Sequence, residues 1–196
     1  MAKAFKRKGG RFVARLDDDE REVVAGLLEQ TRQLLAPPYR EPTGDPFDDL
    51  VARLGLPRLS ELADDAPQLP RDPALERLLP SAHRDDPGLA AEFRRLTEHG
   101  LREGKAANLA TAISALQDAD GDKVRLDQEQ AEAMVVALTD VRLLLGERLG
   151  LRTDEDADAL QDRLDAAAED DPQLYLAAYY DFLTWLQESL IQALMA

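Results

Sequence analysis

The sequence predicts an all-α fold: a single-domain helical bundle with a minor two-stranded β element. Three observations carry this. Long segments repeat apolar residues in steps of three and four. Helix starts and stops are marked by Asp-Pro pairs and by glycines. Arg15-Leu16-Asp17 and Arg125-Leu126-Asp127 each join a strand-like stretch to a helix. Residues 1–10 read as a basic N-terminal arm, and 11–196 as one helical domain with an irregular Pro-rich segment at about 37–72.

In chain order, Arg11–Leu16 reads as a strand and 17–36 as the helix after it. Asp17 with Glu20 forms a capping-box pattern, with Asp in the place usually held by Ser or Thr. Pro37-Pro38 ends that helix. A short helix is expected at 46–54, after Asp45-Pro46 and before Leu54-Gly55-Leu56. Asp72-Pro73 opens a short helix to 79, and Asp86-Pro87 a long one to about 117. In each pair the carboxylate accepts from free N–H groups, and proline gives up a donor the helix start cannot use.

Lys123–Leu126 is the second strand, running into a helix at 127–149 with Asp127 and Gln130 as its box. The two strands are expected to pair. Ala131, Met134, Leu138, Val141, Leu145 and Leu149 line one helix face, and Leu149-Gly150-Leu151 is a Schellman-type end. A polar helix at 154–168 and a last one at 172–194 complete the chain. The last carries Leu176, Tyr179, Leu183, Leu186, Leu190 and Leu194, widened by Phe182, Trp185 and Ile191. That width suits a central helix or, as a second reading, a homodimer contact.

Composition limits the chemistry. The 196 residues are 44% hydrophobic and carry 39 acids against 24 bases, a net charge of −15. There is no cysteine, which excludes disulfides, thiolate metal sites and cysteine nucleophiles within this chain. Two histidines, His83 and His99, lie sixteen apart and suit a structural or surface role. No apolar run approaches the ~18 residues needed to cross a bilayer. No secretory signal is read at the N-terminus, so a cytoplasmic protein without membrane contact is expected.

Charge is unevenly placed. Residues 1–15 hold Lys3, Lys6, Arg7, Lys8, Arg11 and Arg15 and no acid. The other 181 residues hold 18 bases against 39 acids, which repels phosphate backbones. Any DNA contact is therefore assigned to the arm, through Lys3, Lys6, Arg7, Lys8 and Arg11. The plainer reading of the arm is a frayed, solubilising tail.

Other motifs are weak. Asp118 through Glu129 resembles a calcium loop, but Lys123 stands where its sharp turn needs glycine, so a polar turn is expected. Nine acids and one base between 154 and 171 read as a solvated helix face. No nucleophile elbow, P-loop or dinucleotide fingerprint is present. The expectation is a non-enzyme without metal or cofactor. A carboxylate-based metal enzyme is a third and weaker reading.

Three segments carry a resemblance: Leu78-Leu-Pro-Ser-Ala-His-Arg-Asp-Asp-Pro87 with Glu92–Glu98, Leu101-Arg102 and Lys105; Leu138–Gly150; and Tyr180–Gln187. With the Phe5…Gly9-Gly10 arm, they resemble an actinobacterial domain-of-unknown-function family, number 2017. That family includes a regulator of the oxidative-stress response. The resemblance implies a transcription-regulatory interaction protein that binds an alternative RNA polymerase sigma factor and promotes cysteine-biosynthesis genes. Thiol sensing does not carry over to a chain without cysteine. Arg84, Asp85, Asp86, Arg94, Glu98, Arg102, Asp140 and Arg142 are its candidate protein-binding residues, and an ion-pair network tying the helices is the plainer role for them. The alternative function is a non-enzymatic adaptor or scaffold in proteolysis or sulfur metabolism.

Overall fold

The computed structural model describes residues 1–36, 44–46, 49–50, 72–80, 87–168 and 170–196. The expected helix at 46–54 and the rest of the irregular Pro-rich segment at about 37–72, and His83, Arg84, Asp85 and Asp86, lie wholly or largely outside these residues. The elements are β1 (Lys3–Lys8), β2 (Arg11–Arg15), α1 (Asp18–Leu35), α2 (Pro73–Leu78), α3 (Pro87–Gln117), β3 (Lys123–Leu126), α4 (Gln128–Leu149), α5 (Asp154–Asp165) and α6 (Pro172–Met195). A mostly helical chain thus carries one small antiparallel sheet, ordered β1-β2-β3.

Local chemistry sets the helix ends. Asp17 accepts from Glu20 N–H at 3.0 Å while Glu20 accepts from Asp17 N–H at 2.9 Å. Asp127 and Gln130 repeat the exchange at 2.9 and 3.0 Å. Asp72 and Asp171 cap the helices opened by Pro73 and Pro172. Gly150 takes a left-handed φ of 78°, which lets Leu151 N–H reach back to Gly146 O at 2.7 Å and close α4 as expected.

The sheet has three strands, not two. Residues 3–8 form an edge strand, not a frayed tail, and two features hold them. Gly9 and Gly10, at φ 57° and 77°, form the tight turn into β2, a backbone that suits glycine at both central positions. Phe5 is buried, and its N–H donates to the buried Ser189 Oγ of α6 at 3.1 Å. A one-residue irregularity between Lys3 and Lys6 brings Lys3 opposite Arg15.

Phe5, Phe12, Ala14, Val124 and Leu126 turn inward from the sheet. Behind them α4 is the central helix, packed on α1, α2, α3 and α6. Ala131, Met134, Ala137, Leu138, Val141 and Leu145 of α4 are all buried. α6 was the expected centre but lies to one side. Its Leu183, Leu186 and Leu190 are buried against α4 and β1, while Trp185 keeps 38% of its surface exposed. The wide apolar stripe of α6 is thus only partly core. Likewise Leu89, Phe93 and Leu96 of α3 are exposed, and that helix contributes Leu109, Ala112 and Leu116 to the interior. Among the described residues no helix is long and apolar enough to cross a membrane.

Candidate functional site

The outer face of the sheet concentrates positive charge. Strand alternation sends Phe12 and Ala14 inward and leaves Arg11, Val13 and Arg15 outward. β3 does the same, with Val124 and Leu126 inside and Lys123 and Arg125 outside. The registers then build three rungs. Lys8 lies opposite Arg11; Lys6, Val13 and Arg125 share a rung; Lys3, Arg15 and Lys123 share another. Seven cations surround one valine. Lys8, Arg11, Val13, Arg15, Lys123 and Arg125 line a shallow, open concavity of about 370 Å³.

Like charges directly opposite each other across strands destabilise a sheet. Three carboxylates offset part of that repulsion. Asp122 pairs with Arg15 at 3.0 Å, Asp120 with Arg125 at 3.1 Å, and Asp127 with Arg11 at 3.5 Å. All three come from the calcium-like segment. They neutralise arginines, Asp127 also caps α4, and among the described residues no three potential metal ligands converge. Lys3, Lys6, Lys8 and Lys123 form no ion pair among the described residues. The arginines of the face are therefore pinned and partly neutralised, while the lysines stand free.

The arm residues divide accordingly. Lys3, Lys6, Lys8 and Arg11 belong to the face, whereas Arg7 lies opposite the inward Phe12. Arg15, Lys123 and Arg125 join it from positions that carried no site assignment beforehand. The alternation of base and apolar residue in Arg11–Arg15 and Lys123–Leu126 was the available signal.

The second set of candidates does not form one face. Arg102 bonds Glu98 at 2.8–2.9 Å and donates from Nη1 to Leu35 O at 2.8 Å, tying α3 to the end of α1. Lys105 Nζ donates to Asp140 Oδ1 at 2.5 Å, tying α3 to α4. Arg142 Nη1 donates to Gln187 Oε1 at 2.6 Å, and its guanidinium sits 5.3 Å from the Tyr180 ring centroid, tying α4 to α6. Asp140 and Arg142 are two residues apart, so a helix directs them to different neighbours. The Arg94 side chain, like Arg84, Asp85 and Asp86, lies outside what is described.

Burial raises the Asp140 carboxyl above its ordinary value, against the downward pull of the Lys105 hydrogen bond and charge. Gln187, 4% exposed, completes this interior chemistry by donating to Val135 O at 2.9 Å and Thr139 Oγ1 at 2.6 Å. Lys105, Thr139, Tyr180 and Gln187 are side chains in these contacts that were not singled out as site residues from sequence. Elsewhere His99 pairs with Glu103 at 3.3 Å on the surface, and α5 exposes most of its acids.

No curated protein and no solved structure matches the chain. A family model described as "Domain of unknown function (DUF2017)" matches residues 2–194. That span takes in all three sheet strands and all six described helices but for the last residue of α6, and the chain belongs to this family.

Proposed function

We propose that the chain is a transcription-regulatory interaction protein that binds an RNA polymerase sigma factor, and that the outer sheet face is one of its working surfaces. The observation that carries the reading is the segregation of charge: seven cations on one sheet face of a chain with net charge −15. A molecule divided this way can engage a polyanion with the sheet while its acidic helical body meets a basic protein surface. The resemblance of Leu78–Pro87, Leu138–Gly150 and Tyr180–Gln187 to a family with an oxidative-stress regulator supports the choice of sigma factor. Expression of cysteine-biosynthesis genes is the proposed output. A chain without cysteine takes its stimulus by a route other than its own thiols.

The test is size exclusion with mass detection on purified chain and RNA polymerase, with and without stress sigma factors, at two salt concentrations. A defined complex with one sigma factor is the expected result. No complex with any of them at tens of micromolar removes the regulator reading and leaves the adaptor or scaffold role.

A further inference from the structure

We infer that the outer face of the β1-β2-β3 sheet binds the phosphate backbone of a nucleic-acid duplex, without reading its sequence. The inference rests on the sheet face being a working surface, and it names what that surface takes.

Three properties of the face select this ligand. The first is its side-chain chemistry. Lys3, Lys6, Lys8 and Lys123 are the cations without a carboxylate partner among the described residues. An ammonium on a flexible stem satisfies phosphate oxygens as a point charge, whatever base lies behind them. The second is what the face lacks. Val13 is its one apolar member, and there is no aromatic ring on the three rungs. Protein interfaces are anchored by buried aromatic or apolar groups, and single strands are held by base stacking on aromatic rings. A face of bare cations offers neither, but it offers all that a duplex backbone needs.

The third property is placement. Rungs two residues apart and strands side by side spread the cations over roughly 13 Å by 10 Å, a patch that can meet several phosphates at once. Asp120, Asp122 and Asp127 fix the arginines along the β2–β3 side, so the lysines of β1 and β3 do the reaching. Outside residues 1–15 the chain holds 18 bases against 39 acids. That body repels a duplex and turns the sheet toward it. The same repulsion keeps binding weak, with a dissociation constant on the order of 10⁻⁵ M near physiological salt.

Fluorescence anisotropy on the full chain tests this. The probes are two short labelled DNA duplexes of unrelated sequence, a single strand of equal length, and polyglutamate of similar charge. The duplexes are expected to bind equally well, and better than the other two probes. With four free lysines, log K should fall against log salt with a slope of about −3.6, or roughly 150-fold between about 50 and about 200 mM. The triple variant Lys6→Gln/Lys8→Gln/Lys123→Gln should bring that slope to about −1. Lys6 and Lys8 are exposed, Lys123 is half-buried, and none of the three has an ion-pair partner among the described residues, so the variant should melt close to wild type. Arg7→Gln, on the other face of β1, should leave the slope nearly unchanged.

No duplex binding at low salt overturns the inference, as does equal loss on Arg7→Gln. Polyglutamate binding as tightly as duplex shows an acidic protein ligand in its place, and a single strand binding more tightly shows a different mode. The sigma-factor complex is measured separately. A chain that binds a sigma factor but no duplex removes this inference alone. One that binds duplex but no sigma factor keeps it and removes the regulator reading.

Discussion

Lys105 Nζ meets Asp140 Oδ1 at 2.5 Å between α3 and α4, and Asp140 keeps only 1% of its surface. Lys105 retains 22% side-chain exposure, so the two partners are unequal. Lys105→Met strands a buried carboxylate and should cost about 3–5 kcal/mol. Asp140→Leu leaves an ammonium that can turn to water and should cost less. The double variant should recover most of the loss. Urea unfolding of the three variants checks the order, and equal costs for the two single changes would contradict it.

The same pair makes a pH prediction. Burial raises the Asp140 carboxyl in the folded state. A carboxyl raised on folding favours the fold when protonated, and that contribution is lost as pH rises through its folded value. In Lys105→Met the opposing pull is gone, so Asp140 should rise further. The deficit of this variant relative to wild type should shrink as pH falls from about 7 to about 5. A deficit that stays constant over that range would count against the assignment.

Asp72 and Glu147 behave in the opposite sense. The hydrogen bond from Arg148 holds Asp72 below its usual range, and hydrogen bonds from Arg152 and Arg77 do the same for Glu147. Such groups stabilise the fold above their unfolded values and lose that contribution as pH falls through the folded ones. Stability should therefore drop as pH falls below about 4.3. Asp72→Asn with Glu147→Gln keeps the cap geometry but should flatten that drop. Urea midpoints across an acid pH series measure it.

The β1–β2 turn should tolerate little at Gly10. Its φ is 77°, and an added Cβ would meet nothing within 4 Å, so the cost is backbone strain alone. Gly10→Ala should destabilise by about 1 kcal/mol, and Gly10→Asn by less, since Asn enters this region more readily. Faster amide exchange at Lys6 and Val13 should accompany the loss. An Asn variant worse than Ala would argue against the strain account.

Gln187 should be intolerant of shape-preserving change. Gln187→Leu removes the acceptor of Arg142 and the donors to Val135 O and Thr139 Oγ1. Thr139 Oγ1 still donates to Val135 O, so the loss falls mainly on the half-buried Arg142, and it should cost about 1–3 kcal/mol by thermal or urea unfolding. A neutral outcome would show that Arg142 finds another partner at once.

Much of the fold was legible along the chain, and the site only in part: Lys3, Lys6, Lys8 and Arg11 were, their partners across the sheet were not. Asp17, Asp72, Asp127 and Asp171 announced their helices because a cap depends on neighbouring backbone. The three-and-four spacing of Met134, Leu138, Val141 and Leu145 marked α4 because one helix face must be buried. β1 escaped notice because Phe5 is its single large apolar residue, and one buried ring makes no alternating pattern. The breadth of the apolar stripe on α6 says how much surface is oily. It does not say how much a neighbour covers, and Trp185 is left partly exposed.

By itself the sequence determined the capped starts of α1, α2, α4 and α6, the Gly150 end of α4, the two strand-to-helix junctions, and the charge contrast between residues 1–15 and the rest. Only the tertiary structure decided that residues 3–8 are an edge strand. It also set Lys3, Lys6, Lys8, Arg11 and Arg15 beside Lys123 and Arg125, and directed Asp140 and Arg142 to different helices. The first set of features depends on groups a few residues apart. The second depends on which distant surfaces bury each other: Phe5 and Ser189, 184 residues apart, join β1 to α6, and β1 brings its lysines to the sheet.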